Sequence, residues 1–542
     1  MPRNRIRDML SGVLAVAVAL AVAELVAAAL GATSLVVAVG DYIVDHSPGD
    51  LTKAVIEALG TKDKPALLLG IVASSLGVGV LLGPAARRRF GTGIAGFAFF
   101  GVVGAFAGAR LPQGDAATSA LVALAAAASG TFALRLLLAA GTSTAAGGEI
   151  EMPSEGARGS RREFFRAAAA VGGVAAASAV VGRQVIGPRV DIEAAREAVV
   201  LPTAATQVAP APIAAAATVS ESSALATLAP TVEAPTSDFD IEGLSTLITP
   251  NYEFYRIDTA LILPRINTDD WRLRISGMVD RPLELTFAEL LAMPAQEEPI
   301  TLACVSNEVG GNLIGNAVWL GISLADLLER AGVQASATQI VARSVDGFTV
   351  GIPTELALDG RASMVAVGMN GDPLPLDHGF PARMIIPGLY GYVSATKWLT
   401  EIELTTQEEF NAYWIRRGWA KEGPIKTQSR VDVPRSGKTV DAGRVAVAGV
   451  AWGGLRSVRA VQIRVTPKGE SEGQWLDASL GEALSQSTWR QWVVEWDARP
   501  GDYRIEVRGT DGTGETQTEV RRPPDPDGAT GYHGINVKVR EA

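Results

Sequence analysis

Apolar residues dominate five stretches in the first third of the chain, at about 11–31, 65–84, 91–110, 116–140 and 166–187. Each has the roughly 17–25 mostly apolar residues that a membrane-spanning helix requires. Residues 188–240 then run rich in Ala, Pro, Thr and Val, as in APAPIAAAATVSESSALATLAPTVEAPT, a composition that buries no core and predicts a flexible tether. From about residue 241 the pattern becomes mixed. WRLRISGMV (271–279) alternates as a strand, Thr286 caps the short helical run TFAELLAM that it opens, and TLACVSN (301–307) is a strand leading into a Gly-rich turn. SLADLLERAG (323–332) reads as an amphipathic helix closed by Gly332, and strands follow at QIVARSV, FTVGIP and MVAVGMNG, the last with an Asn-Gly turn. After about residue 425, VAVAGVAWGG, VRAVQIRVTP, WRQWVVEWDA, GDYRIEVRGTDG, TQTEVRRP and GINVKVR are short alternating strands at regular spacing, which predicts an all-β sandwich.

Charge gives the apolar stretches a direction. Arg3, Arg5 and Arg7 precede the first; Arg87, Arg88 and Arg89 separate the second from the third; Arg158, Arg161 and Arg162 precede the fifth. The loop 32–63 carries Asp41, Asp45, Asp50, Glu57 and Asp63 instead. The positive-inside bias then predicts an inner N-terminus, with everything after residue 187 on the outer, periplasmic or extracellular side of the cell membrane. Glu24 lies within the first stretch, where an ionisable group is costly; a hydrogen-bonded packing residue and a functional carboxyl are both open readings. Arg135, near the inner end of its stretch, is expected to snorkel to the interface. The fifth stretch begins SRREFFRAAAAVGGVAAASAVVG from Ser160. It resembles a twin-arginine export signal in an unusual internal position, and it also fits plain positive-inside residues ahead of a helix.

A chain of 542 residues exceeds one core, so two or three domains are expected. A net charge of −10 gives no reason to expect nucleic-acid binding. Cys304 is the only cysteine, and His46, His378 and His533 are the only histidines. That excludes an intrachain disulfide and an iron–sulfur cluster held by four thiolates, and leaves a Cys/His zinc site or a bis-histidine haem in the bundle without support. Cys304 ends an apolar strand and opens Val-Ser-Asn-Glu-Val-Gly-Gly, a turn that permits close approach of a large ligand. It fits either a small buried hydrophobe or a thiolate ligand for a soft metal. His378 and Arg383 in PLDHGFPARMIIPG, with Lys397 in SATKW, suggest loops converging on an anion such as phosphate, though each alone fits a surface charge.

Together these strings resemble the sulfite oxidase family of molybdopterin enzymes, from about residue 249 to the C-terminus. PNYEFYRIDT is similar to the family's first cofactor loop, which places Tyr252, Phe254 and Arg256 near the pterin, Arg256 also on the catalytic side. CVSN matches the metal-ligand motif, making Cys304 the implied molybdenum ligand with Ser306 and Asn307 beside the dithiolene. SVDGF puts Asp346 and Gly347 at another contact. DHGFPARMIIPGLYGYVSATKWL carries over His378, Arg383, Ser394, Thr396 and Lys397 as pterin and phosphate ligands. AYWIRRGWAKEG resembles the substrate loop and retains Arg416 and Arg417, but the family's active-site Tyr is replaced by Trp419, and the basic residue after the motif Asn by Glu308. Losing a cation and a phenol leaves room for a bulkier or neutral substrate such as a sulfoxide.

The expected architecture is therefore multi-domain. An N-terminal α-helical membrane bundle of about five helices (1–187) and a linker (188–240) lead to an α+β sulfite-oxidase-like molybdopterin domain (241–424). An immunoglobulin-like β-sandwich (425–542) follows, which the resemblance makes a dimerisation domain pairing two chains. The function implied is a molybdenum-cofactor oxidoreductase transferring an oxygen atom at a sulfur-containing substrate. The alternatives are a reductase of sulfoxides, of the methionine-sulfoxide type, and an outward-facing scaffold that has lost catalysis. The segment predicted here has no haem domain, so electrons pass to or from a separate carrier.

Overall fold

The computed structural model describes residues 3–48, 62–111, 114–140, 192–204 and 239–541, with isolated positions in 51–59 and 166–173. They fall into two compact units, one within Met1–Asp191 with Ala260–Ile262, the other comprising Ile192–Thr259 and Leu263–Ala542.

In the first unit, α1 (Arg3–Ala29), α3 (Asp63–Arg88), α4 (Phe90–Arg110) and α5 (Ala116–Ala139) occupy four of the five predicted stretches, with α2 (Leu35–His46) between α1 and α3. All but α2 are long and apolar enough to cross a membrane. The fifth stretch and the Ser160 string lie outside the described residues. α2 was not predicted, because the acidic residues Asp41 and Asp45 mark its segment as loop. It forms because Ser34 accepts hydrogen bonds from the amides of Val36 and Val37 and so caps its first turn. The Ser34 hydroxyl also donates to the Glu24 carboxylate, which gives that carboxyl a packing partner in α1. Where α1 crosses α3 the backbones touch: a Cβ on Gly83 would overlap the carbonyl of Asp8, and one on Gly79 would sit 2.8 Å from that of Gly12. Near this crossing Arg87 reaches Asp8 at 3.1 Å and donates to the carbonyl of Leu138 at 2.9 Å. Arg135 is exposed.

The second unit begins with β1 (Arg272–Gly277), β2 (Leu283–Thr286), β3 (Ala295–Ala303), β4 (Ile314–Ser323), β5 (Gln339–Ser344) and β6 (Thr349–Pro353). β7 (Met364–Met369), β8 (Asp372–Pro373), β9 (Arg383–Ile385), β10 (Ala395–Thr396) and β11 (Leu399–Thr405) complete its first part. They make two sheets, β2-β1-β11-β5-β6 and β10-β9-β7-β4-β3, with β8 on β7. Only β1 and β11 pair in parallel, so the part is α+β as expected. Leu273, Ile340 and Ile402 of one sheet share a core with Val365, Val367 and Met384 of the other. The predicted helix after Thr286 forms with a reciprocal capping box to Glu289. The one at 324–331 is capped by Ser323 and ends at Gly332, whose φ of +70° suits glycine. Asn370 and Gly371, both at positive φ, make the expected hairpin turn between β7 and β8.

The C-terminal part holds β12 (Gln428–Val433), β13 (Thr439–Asp441), β14 (Gly443–Trp452), β15 (Ala460–Pro467) and β16 (Gln474–Asp477). β17 (Ser479–Leu480), β18 (Arg490–Ala498), β19 (Gly501–Thr510) and β20 (His533–Arg540) follow. Sheets β12-β14-β18-β17 and β13-β20-β19-β15-β16 enclose a core of Val447, Trp492, Ile463, Ile505 and Ile535. TQTEVRRP is not a strand, contrary to its pattern. Its β-pairing is confined to isolated bridges, Thr510 to Thr516 and Arg522 to Thr530. Its side chains satisfy local backbone instead: Gln517 donates to Gly531 and Thr518 accepts from Val520. The two parts are tied by Trp489, whose amide donates to Thr301 Oγ1 at 2.8 Å and whose indole donates to the carbonyl of Leu247 at 2.9 Å.

Candidate active site

β3 stops one residue short of Cys304, and the chain turns immediately. The Cys304 amide donates to Leu313 O at 2.9 Å, and the Asn307 side chain accepts from the Leu313 amide at 2.8 Å. These bonds close residues 304–313 into a loop that presents the thiol to a cleft of about 840 Å³, counted out to its open mouth. Cys304 is buried, and that burial pushes its thiol pKa up, while hydrogen bonds from Ser306 act the other way. Among the described residues no group of three or more His, Cys, Asp or Glu side chains could hold a metal. A metal here would arrive with most of its ligands and take one sulfur from the protein.

The inner wall is cationic. Arg383, on β9, is 4% exposed; it donates to His378 O at 3.0 Å and lies 4.8 Å over the Trp319 ring, yet its Nε has no partner among the described residues. Lys397 donates to Asp258 at 3.2 Å and to Asp377 O at 2.8 Å, and Arg256 shares the same Asp258 oxygen at 2.8 Å. His378 Nε2 meets the carbonyl of Asn251 at 3.0 Å, so that nitrogen donates and Nδ1 is left as a buried acceptor without a partner. Burial lowers Arg383 to about 10 and Lys397 to about 8, with Asp258 opposing the latter. Burial likewise lowers His378 to about 4, with Asp377 opposing. Buried cations with unused donors are costly unless an anion meets them. Thr396, also buried, adds an unpartnered hydroxyl. This donor set fits a phosphate-bearing cofactor, and the single thiol beside it fits that cofactor's metal.

The other predicted positions divide. Phe254, Ser306, Asp346 and Trp419 line the cleft with Cys304, Arg383 and Lys397. Asp346 accepts from Thr259 and from the Phe348 amide, across the turn that Gly347 makes at φ +87°. Ser394 is buried behind the wall, its hydroxyl at 3.1 Å from the carbonyls of Leu389 and Tyr390. Tyr252 is 86% exposed and outside the lining, and Asn307 serves the loop. Arg256 and His378 border the wall through Asp258 and Arg383 without lining the cleft themselves. Arg417 is laid 3.6 Å over the Tyr413 ring, so neither it nor Arg416 lines the cleft. Glu308 is exposed.

The sequence did not single out Tyr255, Asp258, Phe348, Tyr392 or Trp414, all of which line the cleft. All five stand inside strings that were quoted, and nothing in residue type separated them from their neighbours. Burial, with the Cys304 sulfur nearby, drives the Tyr255 phenol far above its usual range, so it stays protonated. The outer wall is aromatic: Tyr392 lies 5.9 Å from Trp419, and Trp419 lies 6.2 Å from Trp414, centroid to centroid.

The profile of the oxidoreductase molybdopterin binding domain family matches residues 260–414. The mitochondrial sulfite oxidase of Macaca fascicularis is 30% identical over 302 residues, 48% of this chain and 55% of that protein. The uncharacterized oxidoreductase YuiH of Bacillus subtilis (strain 168) is 35% identical over 153 residues, 28% of this chain and 74% of that protein. This chain thus spans about half the length of the sulfite oxidases it matches. The crystal structure of the sulfane dehydrogenase SoxCD from Paracoccus pantotrophus aligns with a TM-score of 0.47 at 22% identity, covering 54% of this chain and 82% of that one.

Proposed function

The chain belongs to the sulfite oxidase family of molybdopterin-dependent oxidoreductases, and on that premise we propose that it is a membrane-anchored enzyme transferring an oxygen atom at a sulfur-containing substrate. The observation that carries the proposal is the placement of Cys304 on the cleft wall beside the buried cations Arg383 and Lys397. The anchor is proposed from α1, α3, α4 and α5, with the second unit outside. The C-terminal sheets are proposed to form an immunoglobulin-like sandwich that pairs two chains, with the boundaries expected from the sequence.

When bound, the molybdenum cofactor supplies the exchange of two electrons and one oxygen atom. The residues do the rest. Cys304 would hold the metal through its sulfur as a thiolate. Arg383 and Lys397, which line the cleft, would take the phosphate, with the buried Thr396 hydroxyl and the His378 Nδ1 acceptor bordering that wall as further groups for the cofactor. Asp258 offsets Lys397 and fixes its direction. Tyr255, kept protonated, offers a hydroxyl to a substrate oxygen. Trp414, Trp419 and Tyr392 exclude water from the substrate and hold an apolar group against their faces. With Arg416 and Arg417 outside the lining, a neutral sulfoxide is favoured over a dianion such as sulfite. Sulfoxide reduction consumes two electrons and sulfite oxidation releases two, through a separate electron carrier in either case.

The deciding measurement is molybdenum and pterin content of wild type beside Cys304→Ser, each made in a cofactor-competent host. About one molybdenum per chain in the wild type, with turnover lost in the Ser variant, supports the proposal. A wild type holding neither molybdenum nor pterin leaves the scaffold reading in its place. Turnover assays with sulfite and with methyl sulfoxides then choose the direction.

A further inference from the structure

The loop that carries Cys304 is held from outside its own domain. Arg430, on β12 of the C-terminal part, directs all three arms of its guanidinium to different partners. Nε meets Asp432 at 2.6 Å, Nη2 donates to Ser245 Oγ at 2.8 Å, and Nη1 donates to Gly311 O at 2.7 Å. Arg430 and Asp432 are both nearly buried, with side chains 11% and 9% exposed. Gly311 in turn donates its amide to Glu308 O at 2.8 Å, so the Arg430 bond acts on the turn that follows Cys304. A second contact comes from His533, at the start of β20. β12 is bulged between Val431 and Val433, which frees the Val431 amide to donate to His533 Nδ1 at 3.0 Å. That bond fixes the ring beneath Gly310. Gly310 has a φ of +80°, and a Cβ there would overlap the imidazole.

We propose that Arg430 and His533 are positioning residues through which the C-terminal part sets the geometry of the Cys304 sulfur. The argument rests on the family reading only for the identity of the ligand Cys304 would hold. A single-sulfur metal site is sensitive to the torsion of that sulfur, and the torsion is set by the loop. Strands β3 and β4, paired at Ala303 and Ile314, fix the two ends of the loop, and the bonds from Cys304 and Asn307 to Leu313 close its base. The tip at Gly310 and Gly311 has Arg430 and His533 for support. Neither residue lines the cleft, so neither acts on substrate.

The test uses the full chain with Arg430→Gln, Arg430→Lys and His533→Ala beside wild type. In cofactor-free protein, the rate at which iodoacetamide alkylates Cys304 is read; as the only cysteine, it makes the signal unambiguous. Arg430→Gln is expected to raise that rate at least about tenfold, the loop opening that follows loss of a charge-assisted hydrogen bond. Arg430→Lys, which keeps one donor and the charge, should restore part of the difference. In the loaded protein, the Mo(V) electron paramagnetic resonance signal of Arg430→Gln should shift from that of wild type. Alkylation at the wild-type rate in a folded Arg430→Gln overturns the clamp, and faster alkylation with an unchanged resonance overturns its effect at the metal. If Arg430→Gln does not fold, His533→Ala decides on the same two readouts. A wild type without molybdenum would sink the functional proposal alone, because the alkylation arm needs no cofactor.

Discussion

Replacing Arg383 with Met separates what that residue does for the fold from what it does for a ligand. The guanidinium is 4% exposed, and burial brings its pKa from 12.5 to about 10. At about 1.36 kcal/mol per unit this is a penalty of roughly 3 kcal/mol for carrying the charge buried in the cleft of cofactor-free protein. The sign follows from a cation with a depressed folded pKa: the penalty is fully present below about pH 10 and fades as pH rises toward 12.5. Against it stand the bond to His378 O and the contact with Trp319, together about 2–4 kcal/mol. Arg383→Met should therefore leave the stability of cofactor-free protein within about 1–2 kcal/mol of wild type. Cofactor retention should fall far more, because each charge-assisted bond to a phosphate is worth about 1.5–3 kcal/mol, or roughly tenfold to 150-fold. Denaturant unfolding of cofactor-free protein and molybdenum content after dialysis measure the two effects. A variant that keeps wild-type molybdenum, or one that loses more than about 3 kcal/mol of cofactor-free stability, refutes the reasoning.

Four further outcomes are expected. Lys397, which burial lowers to about 8, should bind phosphate in the cofactor-free cleft more weakly at pH 9.5 than at pH 7, by calorimetry. Because the unfolded chain still holds that proton, cofactor-free stability should rise with pH between about 8 and 10.5, and a flat profile there counts against a buried, charged Lys397. Gly83→Val should break the close approach of α1 and α3, read as loss of a folded bundle in detergent by circular dichroism, whereas Gly77→Val, which meets open space, should not. Arg161 and Arg162 changed together to Lys should retain the second unit inside the cell, read by protease accessibility; normal export would show that the SRREFF string acts only as charge ahead of a helix.

Local rules carried most of the legible part. Thr286, Ser323 and Gly332 announced their helix ends because capping is decided within four residues, and Asn370-Gly371 announced its hairpin for the same reason. The four described apolar helices were legible because a bilayer imposes length and composition on any chain that crosses it. Pattern failed where tertiary partners decide. TQTEVRRP alternates like a strand but spends its polar groups on neighbouring loops, whereas α2, though capped locally by Ser34, was masked by Asp41 and Asp45. In the cleft, Cys304, Arg383 and Lys397, singled out by residue type and setting and again by the resemblance, do line one space, whereas Tyr252 turns outward. Asp258 and Trp414 could be found only once the chain had folded, since their role lies in what they face. Arg430 and His533 belong to the same class, being far along the chain from the loop they touch.

The ties between the two parts of the second unit also bear on when this site can come into being. The Trp489 indole reaches back 242 residues to Leu247, and the Gln491 side chain reaches back 246 to Ser245. Bonds of that span close only after nearly the whole polypeptide has left the ribosome. A nascent chain that has just finished Lys397 already owns every cation of the cleft, but it lacks Arg430, Trp489 and His533. The supports that Arg430, Trp489 and His533 give are thus the last part of the site to be put in place during synthesis.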